Sequence, residues 1–151
     1  MSDSTTWNGP VGPLLNDASS AGVICFPVYR PDLAKQIASD TNYAFYDFRD
    51  QYMSGYGKDA DGIPLRNLDA QIHAVSAAGP VIFHNAEALL AGVDAHTRGE
   101  WIKAFLQTQW PNKVLLPLYL FGDQLADDHP NVAILDYALL PEQSLISRMA
   151  N

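Results

Sequence analysis

Hydrophobic and polar positions along the chain alternate between short apolar runs and longer amphipathic stretches. Gly22 to Val28 is continuous, β-branched and aromatic, the pattern of a strand buried on both faces, with Pro27 setting its end near Val28. Pro31 opens a helix in which Leu33, Ala34, Ile37 and Ala38 recur at helical spacing up to Asp40. Tyr43 to Phe48 is a second strand, followed by a polar, glycine-bearing loop from Arg49 to Arg66. Asn67 is placed to cap a helix carrying Leu68, Ile72 and Val75, which Gly79 and Pro80 stop before a third strand, Val81 to His84, and a helical segment from Ala86 to Leu90. Thr97 and Glu100 are spaced as a capping box for a helix with Trp101, Ile102, Phe105 and Leu106 on one face, running as far as Trp110 and ended by Pro111. Val114 to Phe121 is the strongest strand signal, Val132 to Leu135 a shorter one, and Pro141 opens a last helix with Leu145, Ile146 and Met149.

Strands alternating with helices on short links predict an α/β three-layer sandwich around a mainly parallel five-stranded sheet. Residues 1–20, rich in Ser, Thr, Gly, Pro and Asn, are expected as a loosely held arm, and 21–151 as one domain. Ligands of such sheets sit outside the carboxyl ends of the strands, which directs attention to Tyr29, Arg30, Asp47, His84, Asn85, Gly122 and Asp123.

With 151 residues and 48% hydrophobic content, the chain is long enough for one well-buried core. Its net charge is −8, and the 9 cations are scattered, so no basic stripe supports direct nucleic-acid binding. The lone Cys25 lies in an apolar run, which rules out an internal disulfide and fits a reducing compartment. No basic start followed by an apolar stretch precedes Ala21, and no segment approaches the roughly 20 apolar residues of a membrane span. The expectation is a cytoplasmic chain without membrane association.

In outline, the chain resembles a degenerate P-loop ATPase domain of the AAA class over Gly22 to Asn151, with a P-loop NTPase-like strand order. The segments that carry the resemblance are the first strand and helix, VIFHN with Ala86 to Leu90, the long helix, VLLPLYLF and LPEQSLISRM. In that family the third strand would end in the magnesium-binding and water-activating acids; here His84 and Asn85 stand in those places, and Gly122 or Asp123 lies near the sensor position. A phosphate loop needs G-x-x-x-x-G-K-[ST] after the first strand, whereas FPVYRPDLAK, Phe26 to Lys35, has no glycine and two prolines. Both departures argue against ATP hydrolysis. A weaker similarity, carried by VIFHNAEALL with His96 and Thr97, is to BrxB-like proteins of bacterial phage-exclusion systems. The resemblance implies a non-catalytic scaffold or adaptor subunit of a bacterial multiprotein assembly, of the defence or mobile-element kind, with a protein partner or homo-oligomer and no cofactor.

Other motifs are weaker. Ser54 to Gly62 places Gly57 beside Lys58, yet Asp59 replaces the hydroxyl residue of a phosphate loop, and Leu68 stands where a calcium loop requires its glutamate. No serine lies in a G-x-S-x-G setting. The rival to the scaffold reading is a small-molecule-binding or hydrolytic domain in which Asp47, His84 and Asp123 converge as a base with an orienting carboxylate, or as metal ligands joined by Asp127, Asp128 and His129. A lone histidine after an apolar strand is more often structural, and no metal site is assigned. Trp7, Tyr52, Tyr56, Trp110, Leu145 and Met149 are the candidates for contact with a partner, because large amphipathic side chains are enriched at interfaces.

Overall fold

The computed structural model describes residues 5–122 and 130–136. The order of elements is α1 (Thr5–Asn16), β1 (Ala21–Cys25), α2 (Pro31–Thr41), β2 (Ala44–Asp47), α3 (Phe48–Gln51), a 3₁₀ stretch (Met53–Gly62), α4 (Leu65–Ser76), β3 (Val81–His84), α5 (Glu87–Leu90), α6 (Ala95–Gln107), β4 (Val114–Leu118) and β5 (Val132–Ile134). All five strands are parallel, in the order β2-β3-β4-β1-β5. The expected α/β architecture is therefore present: helices cover both faces of one parallel sheet.

Strand alternation divides the core in two. Val23, Val81, Phe83, Val114, Leu116 and Leu118 face a layer built by α3 to α6, with Phe48, Leu68, Ile72, Leu90, Ile102 and Phe105 buried against them. Ile24, Ile82, Leu115 and Ala133 face the opposite layer, made by α1 and α2. Every residue of β1, β3 and β4 is buried. Such strands read as unbroken apolar runs because neither face meets water.

The amino-terminal segment departs from expectation. Instead of a loose arm, α1 is a helix whose Trp7, Val11 and Leu14 are buried in the second core layer. Pro10 and Pro13 lie within it, and prolines inside a pattern suppress a helix reading. Gly22 makes this docking feasible: a Cβ there would stand 2.9 Å from Leu115 Cδ2 and 3.4 Å from Leu14 Cδ1. A missing side chain on β1 lets the helix approach the sheet.

Three boundaries move for local reasons. The Arg49 to Arg66 loop is largely helical turns, α3 and the 3₁₀ stretch, broken at Gly57, whose φ of 56° a glycine adopts without strain. Asn67 lies inside α4, which begins after Pro64, and its side chain donates to the Tyr52 hydroxyl at 3.2 Å. Helix α6 is capped by Asp94, whose carboxylate accepts from the Thr97 amide at 2.7 Å, and it ends at Gln107 rather than Trp110. The Thr97 and Glu100 pair is thus not the cap. The last helix expected from Pro141, with Leu145 and Met149, lies outside the described residues.

Candidate functional site

Parallel strands expose their last carbonyls and the following loops at one edge, and here that edge gathers the ends of β1 to β4. Pairing between β3 and β4 covers only two residue pairs, Val81 with Val114 and Ile82 with Leu115. Farther along β4, Pro117 has no amide to donate. Past that point the chain after β4 is held by a side chain instead. Glu87 of α5 is buried, and its carboxylate accepts three backbone amides: Tyr119 to Oε1 at 2.7 Å, and Leu120 and Phe121 to Oε2, both at 2.9 Å. Successive amides aimed at one anion form a nest, and in this protein the anion is supplied internally.

Asp47, the last residue of β2, is committed through one of its oxygens. Its Oδ1 accepts from the amides of Arg49 at 3.1 Å and Asp50 at 3.2 Å, capping α3, and from Asn85 Nδ2 at 3.0 Å. Asn85 follows β3 with φ 66°, a left-handed conformation that asparagine tolerates well, and this turn brings its amide to Asp47.

His84 is paired in register with Asp47. Its Nδ1 lies 3.5 Å from Asp47 Oδ2, too long for a full hydrogen bond, and the ring is 1% exposed. Aromatic rings enclose it: Phe45 at 5.1 Å, Tyr119 at 5.6 Å and Tyr29 at 6.0 Å between centroids. Neither ring nitrogen has a hydrogen-bond partner. Burial pushes the imidazole below its ordinary 6.5, and this outweighs the opposing pull of Asp47 and Asp50, with Lys35 adding to the depression. His84 is held neutral at pH 7.

A stability consequence follows. The unfolded chain takes up the proton near 6.5 while the folded ring resists it, so stability falls as pH drops below about 6.5, by at most about 1.4 kcal/mol per pH unit, and levels off once the folded ring also protonates. Urea midpoints measured between about pH 7.5 and 5.5 should decline for the wild type and decline less for His84→Phe. Parallel declines would remove His84 from this account.

Among the described residues, two clefts are lined by this edge and the stretch beside it. One, of about 530 Å³, is bounded by the loop after β1 with Pro27, Val28 and Tyr29, by Tyr119 and Leu120 after β4, and by Arg49. A second, of about 540 Å³, lies beside the 3₁₀ stretch and is lined by Arg49, Asp50, Met53, Ser54 and Ala60. The loop after β1 has no glycine, and the Arg30 position that caps α2 provides no side-chain cap, its guanidinium being paired with Asp32 at 2.8 Å. This pair holds the Asp32 carboxyl below its ordinary range.

Of the sequence-derived candidates, the fold brings Asp47 and His84 together, while Asp123, Asp127, Asp128 and His129 lie outside the described residues. Among the described residues, no group of three or more His, Cys, Asp or Glu side chains is disposed to hold a metal ion. Trp7 and Trp110 are buried at 3% and 8% exposure, so neither offers a surface to a partner. Trp110 packs against Phe105 at 5.7 Å and donates its indole N–H to the Phe105 carbonyl at 3.3 Å. Tyr52 stacks on Phe48 at 5.2 Å and shares a hydroxyl contact of 3.1 Å with Tyr56, which is itself exposed. Leu145 and Met149 lie outside the described residues.

Sequence reasoning missed Glu87, Arg49 and Tyr119. The available signal for Glu87 was a single acid inside the apolar run Ala86 to Leu90, a position where a carboxylate is stable only with partners. No helix among the described residues is long and apolar enough to cross a membrane. Comparisons with protein families, with curated proteins and with solved structures find no match to this chain.

Proposed function

We propose that this chain is a non-catalytic, AAA-like α/β domain, with P-loop-like strand order, that serves as a scaffold or adaptor within a bacterial multiprotein assembly. One observation carries the reading: the carboxylates at the carboxyl edge of the sheet are engaged by the protein's own amides. Asp47 caps α3 and holds Asn85, and Glu87 fills the amide nest after β4. A carboxylate that accepts two or three amides is stabilised where it is and is poorly placed to recruit magnesium or activate water. The loop after β1, Pro27 to Pro31, also offers no glycine from which a phosphate cradle would be built. His84, the remaining candidate base, is sealed from solvent by aromatic rings.

Calorimetric titration with Mg·ATP tests the non-catalytic half of this reading, with no binding heat and no phosphate release as the expected result. Turnover at ordinary enzymatic rates would overturn it. Affinity purification from the native host tests the adaptor half: a defined stoichiometric assembly is expected, and a strictly monomeric chain with no recovered partner would count against it. Tyr56 at 41% exposure is the one sequence-derived contact candidate among the described residues that keeps a large open surface.

A further inference from the structure

We propose that the cleft between the loops after β1 and β4 is a binding site for a small apolar monocarboxylate, its body against Tyr29, Tyr119 and Leu120 and its charge on Arg49. This site goes beyond the scaffold reading and does not depend on it. The volume, about 530 Å³, is that of a small-molecule site. Tyr29 and Leu120 are 56% and 69% exposed, and they come from different segments to line the same opening. Tyr29 meets Tyr119 edge-on at 4.8 Å, and Phe26 supports Tyr119 from behind at 5.0 Å, so the two tyrosines form a braced aromatic corner. The Tyr119 hydroxyl has no hydrogen-bond partner.

The charge at the cleft selects the sign and number of the ligand's charge. Glu87, on the cleft wall, is engaged through both oxygens by three amides, and Asp47 behind Asn85 is engaged through Oδ1 by two amides and a side-chain donor. Arg49 lines the cleft, and its guanidinium makes no ion pair with any described residue, while its backbone amide is engaged in the α3 cap. One uncommitted cation in an apolar setting fits one carboxylate, which a guanidinium grips through two parallel N–H donors. A polyanion would meet that single cation in a molecule of net charge −8, without a glycine-built nest to share the load.

Titration with 3-phenylpropanoate and with its uncharged counterpart 3-phenylpropanol, followed by ligand-observed NMR and calorimetry, tests the site. The carboxylate is expected to bind saturably at about millimolar Kd or tighter, and the alcohol at least about tenfold more weakly. Arg49→Ala should weaken the carboxylate by about tenfold and leave the alcohol unchanged, with the melting temperature held because the side chain supports no described hydrogen bond. Tyr29→Ala should weaken both probes together. Equal binding of acid and alcohol, an Arg49→Ala variant that binds the acid as the wild type does, or no binding of the acid at millimolar concentration would each overturn the proposal.

Discussion

Glu87→Ala is expected to lower the melting temperature by roughly 10 °C, corresponding to about 3–5 kcal/mol, a large share of the stability of a domain this size. The side chain buries little apolar area, so the loss comes from the amides it leaves behind. Those of Tyr119, Leu120 and Phe121 each donate to the carboxylate at 2.7 to 2.9 Å, and no backbone carbonyl is available to them in a continued ladder because β4 ends at Leu118. Glu87→Gln separates charge from shape. It keeps one carbonyl oxygen but turns an NH₂ group toward amide donors, so an intermediate loss of about 2 kcal/mol is expected. Thermal unfolding followed by circular dichroism measures both. An alanine variant within about 0.5 kcal/mol of the wild type would mean that the turn after β4 is held by something other than Glu87.

Because Glu87 fixes the turn that carries Tyr119 and Leu120, the same substitution should also disturb the cleft, whereas Arg49→Ala should affect the cleft without the fold. The two variants therefore separate the structural acid from the binding cation. Cleft and scaffold share one wall but use different atoms of it.

The sheet was legible because its strands are buried on both faces: Val81 to His84 occupies the same four residues as expected, and β1, β2, β4 and β5 each fall inside the expected range or within one residue of it. Strand ends were less legible. The apolar run Val114 to Phe121 continues beyond the sheet because Tyr119 to Phe121 are apolar residues of a turn whose amides bond a side chain, and apolar periodicity carries no information about that. Asp47 and His84 were read as neighbours because both end parallel strands, and register pairing makes them so. Their commitment to capping and burial was not readable, since it depends on Asn85 turning through a positive φ and on rings from three separate segments closing over the imidazole. Arg49 looked like the start of a polar loop. Only the fold shows it at the cleft mouth.

The segment before β1 provides the other large effect. Trp7→Ala is expected to destabilise the domain by about 3–5 kcal/mol, because a tryptophan 3% exposed, with Val11 and Leu14 of the same helix face, covers the sheet face that Ile24, Leu115 and Ala133 present. If residues 1–20 were a loose arm, the cost would be within about 0.5 kcal/mol, as for an ordinary surface change. Trp7→Phe refines the test. The Trp7 indole N–H is buried without a hydrogen-bond partner, so phenylalanine sacrifices some contact area while removing an unsatisfied donor, and a net change of about 1 kcal/mol or less is expected. Urea unfolding gives both values from midpoints at constant slope. A fall in slope for the alanine variant would add that α1 had detached from the native sheet, since less surface would then remain to be exposed on unfolding. Helix α1 would in that case be a separately releasable cover over the second core layer, held by Trp7 and by the space that Gly22 leaves beneath Leu14.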